Sequence, residues 1–91
     1  MSFMVMRADV GDYDAWKAMF DSDPAGRKQA AKGHRIMRNV EDPSEVFVQL
    51  EFASSDDAKA FRERLLASGA LERITVKSGP TVTELADAAV Y

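Results

Sequence analysis

GHRIMRNVEDPSEVFVQLEF, running from Gly33 to Phe52, decides the fold. Its second half, Val46 to Phe52, alternates. Val46, Val48, Leu50 and Phe52 are apolar, while Gln49 and Glu51 between them are polar. Strand side chains point to opposite faces with period two, so one face of this strand is buried and the other is partly wet. Phe47 interrupts the polar side, a sign that this second face is more than solvent-facing surface. Glu41-Asp42-Pro43-Ser44 supplies turn chemistry, because Pro43 fixes φ and Asp42 can bond its own backbone. The segment His34 to Val40 before it is then the partner strand of a hairpin. If residues 41 to 45 form the loop, Val40 faces Val46 and Arg38 faces Val48. His34, Ile36, Arg38 and Val40 then share the apolar face. A four-residue loop would put Arg35, Met37 and Asn39 there instead, since a slip of one residue turns every side chain over. The first register is preferred because it gathers Ile36 and Val40 with the valines.

Working outward, Phe3 to Ala8 reads as a first strand, apolar on both faces as a central strand would be. Asp12 is an N-cap for a helix whose aromatic stripe is Tyr13, Trp16 and Phe20, with Met19 beside it. Asp21-Ser22-Asp23-Pro24 interrupts that helix. Asp23 can cap a second helical piece with Pro24 at its first position, carrying Arg27, Lys28 and Lys32 and stopping at Gly33. After the hairpin, Ser54-Ser55-Asp56-Asp57 starts a helix with Ala58, Phe61 and Leu65 on its buried stripe and Leu66 alongside. Ser68-Gly69 ends it, Gly taking the left-handed cap. Leu71 to Lys77 reads as the fourth strand, Ser78-Gly79-Pro80 as a turn, and Thr81 to Thr83 as the start of an additional terminal strand.

The order β-α-β-β-α-β is the α+β, ferredoxin-like plan: an antiparallel sheet with both helices on one face. The other face is left open. Met4 or Met6, Met37 and Phe47 are expected on it, mixed with Asn39, Gln49 and Glu51. A half-apolar open face suits a homodimer interface.

Composition narrows the function classes. Ninety-one residues make one domain, 1–91, which buries roughly 60–65% of its unfolded surface, so its core is thin. A formal net charge of −3 argues against generic nucleic-acid binding, which calls for a basic face. The absence of cysteine removes disulfides, thiol chemistry and zinc–thiolate sites. MSFMVMRADV lacks the pattern of a secretory signal, and no apolar run approaches the length of a membrane span. A cytoplasmic location is the expectation. RNA-recognition modules share the element order, but Glu45 to Phe52 is acidic and aliphatic where their third strand is basic and aromatic.

Three stretches carry a resemblance: VGDYDAWKAMFD (Val10 to Asp21), HRIMRNVEDPSEVFV (His34 to Val48) and AKAFRERLLASGA (Ala58 to Ala70). In these, about half of the chain, the sequence resembles the dimeric α/β-barrel superfamily, which includes antibiotic-biosynthesis monooxygenase-like and cyclase-like small proteins. The resemblance implies a ferredoxin-like protomer whose sheet packs on its partner's to form a barrel. It also implies a small-molecule cleft between sheet and helices, and it supplies no complete catalytic set. Haem-degrading relatives need an Asn, a Trp and a helical His in concert. The one His here lies on a predicted strand, so neither haem nor any other cofactor is expected.

The candidate site residues each have two readings. His34 is either a proton shuttle, with an ordinary pKa of about 6.5, or a strand-end residue with its ring partly in water. Arg38 on an apolar face needs a carboxylate or an acidic ligand. It either holds a substrate carboxylate or enolate, or pairs with Asp12, Asp14 or Glu51. Arg35 inherits that role in the other register. Tyr13 and Trp16 either roof a pocket for a flat ligand or belong to the core. Asp9, Asp12, Asp14, Asp21 and Asp23 lack the spacing of a calcium loop and read as caps and a solvated face, not a metal site. Two functions remain. One is a cofactor-independent oxygenase- or cyclase-type enzyme acting on an aromatic or enolisable molecule, with His34 and Arg38 catalytic and Tyr13 and Trp16 ligand-binding. The other is a non-catalytic ligand-binding or stress-related dimer module.

Overall fold

A computed structural model describes all residues, Met1–Tyr91. Four strands form one antiparallel sheet in the order β2-β3-β1-β4: β1 (Ser2–Asp9), β2 (Gly33–Arg38), β3 (Glu45–Phe52) and β4 (Thr75–Glu84). The helices are α1 (Tyr13–Asp21), a single turn α2 (Arg27–Ala30) and α3 (Ser55–Ser68). This is the ferredoxin-like arrangement, with α1 and α3 covering one face of the sheet.

The covered face is set by alternation. Met4, Met6 and Ala8 stand opposite Leu50, Val48 and Val46 in the β1–β3 ladder. With Phe52 they meet Trp16 of α1 and Ala58 and Phe61 of α3 in one buried cluster. The Phe52 and Phe61 rings are 5.6 Å apart in a tilted pair, a favoured aromatic geometry. Met4 and Met6 thus belong to the core and not to the open face. The residues between them, Phe3, Val5 and Arg7, turn outward.

In the hairpin, Arg38 pairs with Val46, Ile36 with Val48 and His34 with Leu50. The face expected for His34, Ile36 and Arg38 is the one observed, but the pairing is displaced by two residues. Val40 lies in the loop and is 97% exposed, not opposite Val46. Side-chain and backbone bonds within the loop outweigh the valine's preference for the sheet. Asn39 Nδ2 donates to Glu45 Oε1 at 3.0 Å, the Glu41 amide to Asn39 Oδ1 at 2.9 Å, and the Ser44 hydroxyl to Asp42 Oδ1 at 2.7 Å. They close a longer loop in which Val40 has no strand partner.

The helix starts follow their caps. Asp12 Oδ1 accepts from the Asp14 amide at 3.1 Å and Ser54 Oγ from the Asp57 amide at 3.2 Å, each satisfying a free first-turn donor. α3 ends at Gly69 with φ 76°, as expected. Leu66, however, is 54% exposed: two short helices above a four-stranded sheet leave nothing to cover it. The second helical piece starts later than its Pro24 suggests. Gly26 is its N-cap, while Asp23 reaches forward from outside, its Oδ2 accepting from the Lys28 amide at 3.2 Å.

The C-terminal third departs most from expectation. Leu71 lies in a 3-10 turn, Ala70–Arg73, and the fourth strand starts at Thr75. Ser78-Gly79-Pro80 is not a turn. It is an irregularity within one long strand, which shifts register between Val5 and Arg7 of β1 and continues to Glu84. Gly79 has φ 84°, and a Cβ there would collide with the Val5 carbonyl oxygen. Only glycine lets the two backbones approach this closely. There is no additional strand, and residues 85–91 form no regular structure.

The uncovered face presents Met37, Phe47, Arg35, Gln49 and Glu51 with Phe3 and Val5. Met37 is 43% and Phe47 37% exposed. No helix is long and apolar enough to cross a membrane.

Candidate functional site

Helix α1 lies along β2 and carries a continuous row of rings. The Tyr13 and Trp16 centroids are 5.9 Å apart, and those of Trp16 and Phe20 are 5.2 Å apart. At the N-terminal end of this row, the Arg38 guanidinium stacks 4.1 Å over the Tyr13 ring. Its Nε donates to the Pro43 carbonyl at 3.0 Å. Arg38 is exposed, and its partners are a ring and a backbone oxygen; it forms no salt bridge with Asp12, Asp14 or Glu51. At the other end, His34 meets Phe20 edge-on at 5.1 Å. Partial desolvation, with the positive charges of Arg27 and Lys17, holds its imidazole below the ordinary histidine range. His34 and Arg38 share one face, but four residues along a strand separates them by roughly 13 Å. They do not converge on one reacting atom.

The space between sheet and helices lies elsewhere along α1. A cavity of about 60 Å³ is walled by Met4, Met6, Val48 and Leu50 from the sheet, Trp16, Met19 and Phe20 from α1, and Phe61 and Leu65 from α3. Trp16 therefore lines it, whereas Tyr13, His34 and Arg38 do not. A buried water needs about 10–15 Å³ by the same measure, so the cavity holds about four non-hydrogen atoms.

Two polar side chains also line this cavity, Asp23 and Arg27. Arg27 is 6% exposed. Its Nη1 donates to the Phe20 carbonyl at 2.8 Å, and its guanidinium lies 3.7 Å from the Phe20 ring centre. The C-terminal end of α1 thus supplies a carbonyl and a π-face to the cation. No carboxylate comes within salt-bridge distance. Asp23 adopts φ 59°, a left-handed conformation that Asp tolerates better than most residues. Its amide donates to the Phe20 carbonyl at 3.1 Å and its Oδ2 is bonded to the Lys28 amide. Its Oδ1 is shut off from solvent and has no hydrogen-bond partner.

Sequence reasoning placed the buried arginine at 38, on a strand whose alternation could be read. It did not find Arg27. A four-residue helix shows no period, and DPAGRKQ resembles a solvated basic turn. The one available signal was the position of Arg27 just beyond the end of an apolar helix, where a cation can reach the last carbonyls.

A second polar cluster lies at one end of the open face. Glu45, 7% exposed, accepts from Asn39 Nδ2 and from Lys77 Nζ at 3.0 Å, with Arg7 Nε at 3.5 Å. Hydrogen bonds from Asn39 and Lys77 hold its carboxyl below the usual range. These contacts tie β1, β3, β4 and the hairpin loop together. No group of three or more His, Cys, Asp or Glu is placed to hold a metal ion.

Fold and site together define a small α+β protein with an apolar cavity between sheet and helices, with Asp23 and Arg27 among its neighbours. No protein-family model matches the chain, and no curated protein matches its sequence. Solved structures do resemble it. One from Chloroflexus aurantiacus J-10-fl has 18% identity and a TM-score of 0.58, over 99% of this chain and 93% of that one. Another, from Nitrosomonas europaea, has 16% identity and a TM-score of 0.51, over the whole of both chains. Both are described as a "putative antibiotic biosynthesis monooxygenase". At these identities the likeness is one of fold, and it is the likeness that the three sequence stretches suggested.

Proposed function

We propose that this protein binds a small, largely apolar molecule in the cavity between sheet and helices, acts as a homodimer, and performs oxygenase-type chemistry without a cofactor. The observation that carries the binding reading is the cavity itself. Close-packed interiors leave few voids larger than a water molecule. This one has Trp16 in its wall and a buried, carboxylate-free Arg27 at its end. The oxygenase part rests on the descriptions of the two fold neighbours. Without a cofactor the substrate must supply all the electrons: it gives up two hydrogens, one atom of dioxygen goes to carbon and the other leaves as water.

The homodimer reading rests on the uncovered sheet face with Phe3, Val5, Met37 and Phe47. Only 13 of the 91 residues are buried, so a protomer gains from covering that face. Phe47→Asp puts a charge on this face, beside Met37. It is expected to convert a dimer to a monomer in sedimentation velocity, and an unchanged dimer would refute this interface.

A second reading, a non-catalytic ligand-binding module, is favoured by one observation. His34 and Arg38 stand at opposite ends of α1 and outside the cavity, which leaves little acid–base chemistry at the ligand.

Native mass spectrometry of freshly purified protein tests the shared part. The expected species is a dimer, with added mass that solvent extraction releases. A bare monomer would overturn both readings. Dioxygen uptake on adding back the released compound separates enzyme from binding module.

A further inference from the structure

A sheet face that a second copy covers must find partners for its charges. Strand pairing lays the uncovered face out in cross-strand rows. One runs Met37, Phe47, Arg7, the next Arg35, Gln49, Val5, and the last Gly33, Glu51, Phe3. Arg7 already has a partner in its own chain, its Nε lying 3.5 Å from Glu45. Arg35 and Glu51 have none, since the other ion pairs join Lys77 to Glu45 and Lys17 to Asp21. In the protomer this costs little, because Arg35 is exposed and Glu51 only half-buried. Covering the face takes that water away, and an unpaired charge in a closed interface is strongly unfavourable.

Two-fold symmetry then decides how the copies meet. In an isologous dimer residue i touches the partner's j, and j touches the partner's i. A residue on the axis meets itself, so neither charge can stand there. Setting Arg35 against the partner's Glu51 satisfies both charges in both copies with one operation. The axis then runs between the two sheets, at right angles to the line from Arg35 to Glu51 and through its midpoint. With strands about 4.8 Å apart and about 3.4 Å per residue, Gln49 and Val5 fall within about 2 Å of it. Both are uncharged, and each meets its own copy without penalty. Phe47 and Phe3 fall roughly 7 Å away on opposite sides, so each ring comes against the partner's other one. One placement thus joins opposite charges and joins the two rings of the face. Two other acids border this end of the face, Glu84 and Asp87. Glu84 pairs with Ser2, on the parity of the covered side, and Asp87 lies beyond the last strand.

We infer that a second copy of this chain docks on the uncovered face in one orientation, fixed by reciprocal ion pairs between Arg35 and the partner's Glu51. This rests on the reading of that face as the homodimer interface and adds the orientation and the residues that set it. The apolar residues hold the copies together, while the ion pairs exclude other registers.

The test is a charge-reversal exchange in the full chain, read by sedimentation velocity and native mass spectrometry. Arg35→Glu sets carboxylate against carboxylate at both contacts, and Glu51→Arg sets guanidinium against guanidinium. Each variant alone should raise the dimer dissociation constant about a hundredfold. Mixed in equal amounts, the two should form a heterodimer in which both contacts are again Arg against Glu. This is a gain that a misfolded variant cannot mimic. The chain carrying both changes should dimerise with itself.

Reversals that leave the dimer at wild-type strength would overturn the inference, and the interface would stand if Phe47→Asp still dissociates it. Dissociation without rescue in the mixture would overturn it too. If the doubly changed chain then still dimerised, the two charges would be pairing within one chain. Rescue of Arg35→Glu by Asp87→Arg in place of Glu51→Arg would be equally fatal. A monomeric wild type, or a dimer that Phe47→Asp leaves unchanged, would remove the interface itself and this inference with it.

Discussion

Replacing Phe61 by alanine tests the cavity wall and the core in one step. Phe61 is 2% exposed and borders the cavity of about 60 Å³. Truncation removes roughly 100 Å³ of side chain, worth about 2.4 kcal/mol at 24 cal/mol per Å³ of residual cavity. Lost burial of the ring adds about 2 kcal/mol, for a loss of about 4 kcal/mol, within the range typical of Phe→Ala. A chain of this size has about 5–14 kcal/mol in all, so the variant should fold and unfold about 15–30 °C lower. The cavity would be enlarged by the space of a phenyl ring. In another protein an engineered apolar cavity of about 150 Å³ stays dry and binds benzene. Benzene at a hundred times its dissociation constant should therefore restore about 2.7 kcal/mol, measured as a shift in the urea midpoint with unchanged slope. A loss below about 1.5 kcal/mol with no benzene rescue would refute the reasoning. It would mean that the wall collapses and that no persistent cavity exists beside Phe61.

Two further outcomes concern the frame around the site. Gly79→Ala combines a left-handed φ with a collision against the Val5 carbonyl and should cost at least about 2 kcal/mol. Gly69→Ala, where φ is 76° but the nearest atom is 3.7 Å from the added Cβ, should cost about 1 kcal/mol; equal losses in urea unfolding would remove the close-approach argument for β4. Glu45 has a folded pKa below its ordinary 4.5, so the unfolded chain binds more protons in that window. Its contribution to stability is present above about pH 4.5 and is lost as pH falls through the folded value. Glu45→Gln should flatten the dependence of the urea midpoint on pH between about 6 and 3, and an unchanged slope would show that the Asn39 and Lys77 bonds do not couple to folding.

Legibility in the sequence followed the strength of local periodicity. Val46 to Phe52 alternated clearly, and its face, its central role and the parity of His34, Ile36 and Arg38 all emerged from it. Asp12, Ser54 and Gly69 announced helix ends because capping is local chemistry. Val40 was misplaced because strand propensity was weighed without the Asn39–Glu45 bond that closes the loop early. Ser78-Gly79-Pro80 has the composition of a turn, and only the adjacent β1 backbone shows why it serves as a bulge. Met4 or Met6 was expected on the open face, and both lie in the core, because a strand apolar on both sides gives no phase. The burial of Arg27 beside the cavity was illegible for a related reason. Asp23 and Arg27 are brought there by a left-handed residue and a single helical turn, neither of which leaves a repeat.

The central claim is that small molecules enter the space between sheet and helices, and xenon titrated against the methionine-methyl resonances tests it most directly. The account predicts saturable shifts of Met4, Met6 and Met19 with Met1 and Met37 unmoved. Shifts confined to Met37 and Met1, or none that saturate, would contradict it and would move the binding surface to the open face of the sheet.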